Sequence, residues 1–262
     1  MSNLLVSPRL RTAIRQYRSG GITALVRAID HRPPMGVYRL LHRVRRHRDP
    51  DGYTTAPLFK RIRVDPSSVY NFEAHPTPDT LDDPRITFDR GGRMHKWENA
   101  GLVVAGDWDR HITDVFAFEH AAKRHFFEGI PWEELDYYQQ RCSIVQHGST
   151  WRGCTTEEDV RAQFAAWDRL YRSLSSRGYQ PSSAHSRWKW QASVDELTVN
   201  IGRDGTIIRN SSGKHRVALA RLIGIDRIPA RVLIRHPDWE QTRRASTAGD
   251  DDHPDLQADS FQ

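Results

Sequence analysis

The chain is short of several things that usually announce a function. Among its 262 residues there are only two cysteines, Cys142 and Cys154. Their spacing fits neither a metal-ligand pair nor a CxxC motif, which points to a reduced, cytoplasmic setting. There is no apolar run of about 18 residues, so no membrane-spanning helix is expected. The opening stretch MSNLLVSPRLRTAIRQYRSGG lacks the apolar core and small-residue cleavage site of a signal peptide. Walker A, GxGxxG, HExxH and GxSxG patterns are all missing. No internal repeat is visible. Acids are scarce in the first fifty residues, which carry eleven arginines against Asp30 and Asp49, a net +9. The last stretch, 241–262, is the reverse, with two arginines and five aspartates. The formal charge of +6 therefore belongs to an N-terminal arm, and the body is neutral. Such an arm suits acidic lipid, nucleic acid or a partner protein, or is simply a solvated helical surface.

What is present describes a folded centre with polar ends. The apolar fraction of 37% is low, but eight Trp and nine Phe are too many for a disordered chain. The length suits one large domain with appendages. Residues 1–50 read as two or three short helices, with Leu10, Ile14 and Tyr17 on one face of the first. Val37, Leu40, Leu41 and Val44 share a face of the last. A strand is expected over 59–64, another over 85–88, and a short apolar one at 102–105. Helices are expected at 118–127 and from Pro131 to Gly148. A third is expected after a capping box of Thr155 and Glu158, with Val160, Phe164, Trp167, Tyr171 and Leu174 as its buried stripe. Residues 197–209 read as a β-hairpin around Gly202-Arg203-Asp204-Gly205. Lys214–Ile223 reads as a helix stopped by Gly224, and 230–234 as a last apolar strand. Beyond Trp239 no period remains, and 241–262 is expected to be a disordered acidic tail.

The segment Asn210-Ser211-Ser212-Gly213-Lys214-His215-Arg216 carries the chemistry. A hairpin delivers a small-residue loop onto the start of a helix. The first amides of a helix have no intrahelical partners and sit at the positive end of its dipole, so they attract anions, phosphate above all. Gly213 allows a ligand close to the backbone. Arg216 can fork onto phosphate oxygens, Lys214 supplies a point charge, and His215 can donate a hydrogen bond or move a proton. Without an anion, three such side chains at that end oppose the dipole at ~0.3–1 kcal/mol each.

The stretch TVNIGRDGTIIRNSSGKHRVALARLIGIDRIPARVLIRH resembles the ParB/sulfiredoxin-like superfamily. The shared pattern is a hairpin, a small-Gly-x-His-Arg box, an Ala-rich helix, Ile-Gly, Ile-Pro and an apolar strand. Arg61-Ile62-Arg63-Val64-Asp65-Pro66 resembles the first strand and turn of that family. The resemblance implies an α/β (α+β) mixed-sheet domain over 58–236, with a helical insertion over about 114–178 and a helical N-terminal arm. It implies a nucleotide, ATP or ADP, held by Ser211, Ser212, Gly213, Lys214, His215 and Arg216. Lys214 stands where sulfiredoxin-like enzymes need cysteine, so sulfinic-acid repair is not expected. Partition proteins of the family carry Gly-Glu-Arg-Arg in this box and a following helix-turn-helix domain, so chromosome partitioning is not expected. The box Gly213-Lys214-His215-Arg216 is most similar to that of kinases of free serine in this superfamily.

Phosphoryl transfer also needs an acid to orient the acceptor or hold Mg²⁺. The candidates are Asp107 and Asp109, which follow the short apolar strand, and Glu73 after the first strand region. With His215 as a proton carrier, the expected catalytic set is His215, Asp107 and Glu73, with Asp107 and Asp109 as metal ligands. Asp195 and Glu196 are expected to be solvated. The sequence thus supports a nucleotide-binding protein, possible in two forms: a binder alone, or one that passes phosphoryl to a small hydroxylated acceptor. A DNA-binding or nuclease-like protein and a nucleotide-switched adaptor at a membrane or partner are the alternatives.

Overall fold

The computed structural model describes residues 35–79, 81, 83–88, 94, 98–179, 196–210, 212–246 and 252–257. The expectations for residues 1–34, and for Ser211, lie outside these. Within them is a mixed α/β fold. Its helices are α1 (Met35–Arg48), α2 (Ala117–Glu128), α3 (Asp136–Gln146), α4 (Glu157–Arg177), α5 (Lys214–Ile223) and α6 (Pro237–Ala245). Its strands are β1 (Arg61–Val64), β2 (Val69–Phe72), β3 (Ile112–Thr113), β4 (Leu197–Ile201), β5 (Ile207–Arg209) and β6 (Ile228–Arg235). The sheet order is β1-β6-β4-β5-β2-β3. β4 and β6 are parallel at its centre, and β1 and β5 flank them antiparallel.

The central strands are buried on both faces, which their apolar runs require. Every residue of β4 is buried, as are seven of the eight in β6. One face packs Ile208 and Leu233 against Leu102, Val104, Trp108 and Phe59. The hairpin forms where expected, with Asn200 opposite Ile208 and Ile201 opposite Ile207. α5 ends at Gly224, whose φ of 78° lets Ile225 N–H reach the Ala220 carbonyl at 2.9 Å.

Several local expectations shift. Residues 85–88 form no strand and make a single bridge, Phe88 to Met94. The 102–105 segment also pairs only by isolated bridges, Tyr53 to Leu102 and Val103 to Arg235. After Pro131 comes one 3-10 turn, Trp132–Glu134, before α3 begins. The capping of α4 lies one residue later than the Thr155/Glu158 pattern. Thr156 Oγ1 accepts from Asp159 N at 3.1 Å, and Asp159 Oδ2 accepts back from the Thr155 and Thr156 amides at 3.0 and 3.2 Å. Aspartate is short enough to close this reciprocal box from N3.

Residues 120–172 gather into a compact unit of their own, separate from the body formed by the other described residues. Val160, Phe164 and Trp167 are buried in that unit, as the helical period requires. Trp132 meets Phe164 edge-on at 4.9 Å and donates its indole N–H to Asp168 at 2.8 Å. Cys142 and Cys154 are both buried, and burial pushes both thiols above their ordinary values. This leaves them unreactive.

The tail region departs most from expectation. α6 occupies 237–245, capped by His236, whose Nδ1 accepts from Asp238 N. Residues 252–257 are ordered onto the body, with Asp255 wholly buried. On α1 the shared-face stripe turns to solvent. Leu40, Leu41 and Val44 are exposed, while Tyr38 and His42 hold the helix down, edge-on to Phe59 and Tyr53.

Candidate functional site

The start of β4, the start of α5 and the β1–β6 ladder meet at one end of the sheet. Gly213 sets the geometry there with a φ of 88°. A Cβ at Gly213 would lie 2.9 Å from the Leu197 Cα, so only glycine lets the helix begin against the strand. Ser212 fixes the approach. Its hydroxyl donates to the Glu196 carbonyl at 2.8 Å and stands 3.0 Å from Thr198 Oγ1. Asn210 N–H bonds the Thr198 carbonyl at 2.7 Å. Gly213 brings no capping side chain, so the first amides of α5 get none from the cap position.

Charge gathers around this point. Arg61 on β1 stands directly opposite Arg231 on β6, and Arg231 is in register with Thr198 on β4. Like charges facing each other across a ladder repel. Glu196, two residues before Thr198 and on the same face, resolves this. Its Oε1 lies 2.7 Å from Arg61 Nη2 and its Oε2 lies 2.6 Å from Arg231 Nε. The Glu196 side chain is only 3% exposed and that of Arg231 12%. Burial lowers the Arg231 pKa; Glu196 opposes that, and Arg61 and Arg39 add to it. The Tyr179 hydroxyl lies in the same field. Burial raises its pKa, Glu196 adds to the rise, and Arg216 and Arg61 pull it down. One buried carboxylate thus lies between Arg61 and Arg231, with Arg39 acting on Arg231 and Arg216 on Tyr179.

The expected site residues divide between this end and elsewhere. Ser212, Gly213, Lys214 and Arg216 are here. Lys214 and Arg216 are half-buried. His215 turns inward, 6% exposed and edge-on to Phe118 at 4.5 Å. Glu73 leaves β2 at this same end, because β2 runs parallel to β5. It is exposed, and β5 separates its strand from β4, a lateral distance of about 10 Å.

Asp107 and Asp109 are elsewhere, and this corrects their expected role. Both are bound to Arg203 at the hairpin turn, the far end of β4. Arg203 Nη2 lies 2.8 Å from Asp107 Oδ1 and 2.8 Å from Asp109 Oδ1, and the Arg203 amide donates to Asp109 Oδ2 at 2.7 Å. Burial pushes the Asp109 carboxyl up, but Arg203 outweighs it and holds the group below its ordinary value. Asp109, with both oxygens so engaged, is a poor base and has no lone pair to spare for Mg²⁺; Asp107 is tied through Oδ1 alone, to Arg203 and Arg110. β4 itself separates the two ends by about 13 Å. Among the described residues no group of three or more His, Cys, Asp or Glu is placed to hold a metal ion.

Sequence reading missed Arg61, Arg231, Tyr179 and Thr198, and took Glu196 for a solvated residue. One signal was available. Arg61 alternates with buried Ile62 and Val64, and Arg231 interrupts an apolar strand. A charge in such a place needs a partner.

A cleft of roughly 800 Å³ lies away from this end, between Asp49, Asp83, Arg85 and Pro237. Its arginine is already paired with both aspartates, at 3.0 and 2.6 Å. Among the described residues no helix is long and apolar enough to cross a membrane. Comparison with protein-family models, with curated proteins and with solved structures finds no match to this chain.

Proposed function

We propose that this chain binds a phosphate-bearing ligand, ATP or ADP first, at the start of α5, as the resemblance to ParB/sulfiredoxin-like proteins implies. The single observation that carries the reading is the gathering of Arg61, Arg231 and Arg216 around Glu196 and Tyr179, beside a helix N-terminus opened by glycine. Glu196 answers two guanidiniums at 2.7 and 2.6 Å, and Arg216 adds to the same field. A phosphate held there would lie along the helix dipole with these guanidiniums around it. Lys214 and Arg216 are its side-chain ligands, with Ser212 positioning the loop. The proposed activity is binding. Transfer to an acceptor through Asp107 is left aside, because Arg203 holds that acid at the other end of β4.

The test is calorimetric titration of ATP, ADP and adenosine into wild type and into Lys214→Gln/Arg216→Gln. Binding of ATP and ADP but not adenosine, weakened at least tenfold in the variant, supports the reading. Equal affinity in the folded variant sinks it.

A second reading concerns α1. Leu40, Leu41 and Val44 are exposed among Arg39, Arg43, Arg45, Arg46 and Arg48, a pattern suited to an acidic lipid surface. Flotation with phosphatidylserine liposomes tests it. Arg43→Glu should abolish association, and association retained in that variant counts against this reading.

A further inference from the structure

Residues 252–257 lie across the body at the hairpin-turn end, held by one carboxylate. Arg235 grips Asp255 with two parallel bonds, Nε to Oδ2 at 2.8 Å and Nη2 to Oδ1 at 2.6 Å. Trp239 Nε1 donates to Oδ2 at 3.0 Å. Lys60 Nζ donates to the Asp255 carbonyl and lies 4.0 Å from its carboxylate. The Arg235 and Asp255 side chains are 1% and 0% exposed. This is the donor set of a built carboxylate receptor: a planar fork, an indole N–H and an ammonium converging on one group.

His253 closes the segment over it. The ring packs 4.2 Å from the Trp239 ring. Its Nε2 lies 2.8 Å from the Gly205 carbonyl, and its Nδ1 lies 3.1 Å from the Asp255 amide. A carbonyl only accepts and an amide N–H only donates. Docked His253 is therefore neutral, with its proton on Nε2. A second proton would break the bond from Asp255 N–H. It would also place a cation near Lys60 and Arg235, which Asp255 opposes. Gly205, at φ 90°, leaves room for both rings, since a Cβ there would lie 2.8 Å from Trp239.

We propose that Arg235, Lys60 and Trp239 form a carboxylate-binding site that the chain fills with its own Asp255, and that proton uptake by His253 vacates it for a small carboxylate. Burial lowers the His253 pKa from 6.5, with the Gly205 bond and Asp255 opposing and Lys60 and Arg235 adding to the drop. The sign follows: docking is fully favoured above pH 6.5 and is lost as pH falls through the docked value. If the docked value lies well below the working range, the docking constant falls about tenfold between pH 7.5 and 5.5.

The test is amide hydrogen exchange, read by NMR on the ¹⁵N-labelled full chain. The Asp255 and Leu256 amides both bond His253 and report docking. After correction for intrinsic exchange, their protection should drop by up to about tenfold from pH 7.5 to 5.5 in wild type and stay flat in His253→Gln. At pH 6, sodium acetate should lower protection below that in equimolar sodium chloride. Protection independent of pH in wild type overturns the proposal, as does an equal drop in the variant or identical values in acetate and chloride. If His253→Gln leaves the segment unprotected even at pH 7.5, the comparison of acetate with chloride in wild type decides.

Discussion

Replacing Glu196 by glutamine keeps the shape of the site and removes the negative charge that Arg61 and Arg231 share. Arg61 and Arg231 are a direct cross-strand pair, so their side chains start about 5 Å apart. Two unit charges at that distance repel by roughly 3 kcal/mol at an effective dielectric constant of 20. Losing one partner of a buried pair costs about 3–5 kcal/mol when the remaining charge cannot escape. Here Arg61 is a quarter exposed and can swing into water, which screens its share. The expected loss is therefore ~2–3 kcal/mol. Urea denaturation at pH 7 in phosphate-free buffer measures it. The variant should then regain more stability from pyrophosphate than wild type does, because the added anion stands in for the missing carboxylate. Glu196→Asp, which keeps the charge, should lose less. A loss under ~0.5 kcal/mol, the range of an ordinary surface change, refutes the reasoning. So does a pyrophosphate effect no larger than that of sodium chloride at equal ionic strength.

Other substitutions test other parts of the account. Gly213→Ala forces a Cβ within 2.9 Å of the Leu197 Cα at a φ of 88°, and should cost ~2 kcal/mol or more in urea denaturation. Thr156→Ala should cost ~1 kcal/mol by removing the cap of α4, and Thr155→Ala clearly less, contrary to the sequence pattern. Glu240 is buried between Thr54, Thr55 and Arg243. Burial pushes its carboxyl up, but Arg243 and the threonine bonds hold it down to about 2. A depressed carboxylate stabilises the fold above its ordinary 4.5 and loses that contribution as pH falls through about 2, some ~3 kcal/mol in all. Glu240→Gln should flatten stability across that acid window. Arg203→Ala should lower stability without changing nucleotide affinity, since Asp107 and Asp109 lie away from α5.

Where the sequence was legible, local physics was enough. The hairpin, α5 and its Gly224 stop, and the stripe of α4 each follow from period, turn chemistry or a left-handed glycine. The loop before α5 was legible for the same reason, because small residues leading into a helix start are contiguous in the chain. The partners of that loop were not. Arg61, Glu196 and Arg231 are far apart in sequence and meet only through the order β1-β6-β4, which no local pattern encodes. Asp107 and Asp109 looked chemical because they follow an apolar segment, but the residue that claims them, Arg203, comes from a distant hairpin turn. The tail misled by composition. A polar stretch gave no sign that Asp255 pairs with an arginine sealed in the core. The stripe on α1 was legible as a shared face, but not whether that face packs. Helical spacing reports that residues share a face, and Tyr38 and His42 share the face that docks.

Chemical-shift mapping tests the central claim most directly. ATP is added in steps to the ¹⁵N-labelled full chain, and backbone amides and arginine Nε–H signals are followed. The account predicts saturable shifts at Ser212, Gly213, Lys214 and Arg216 and at the Nε–H groups of Arg61 and Arg231. It predicts none at Arg203. Shifts confined to the arginines of α1, or no saturable shift at the start of α5, would contradict it.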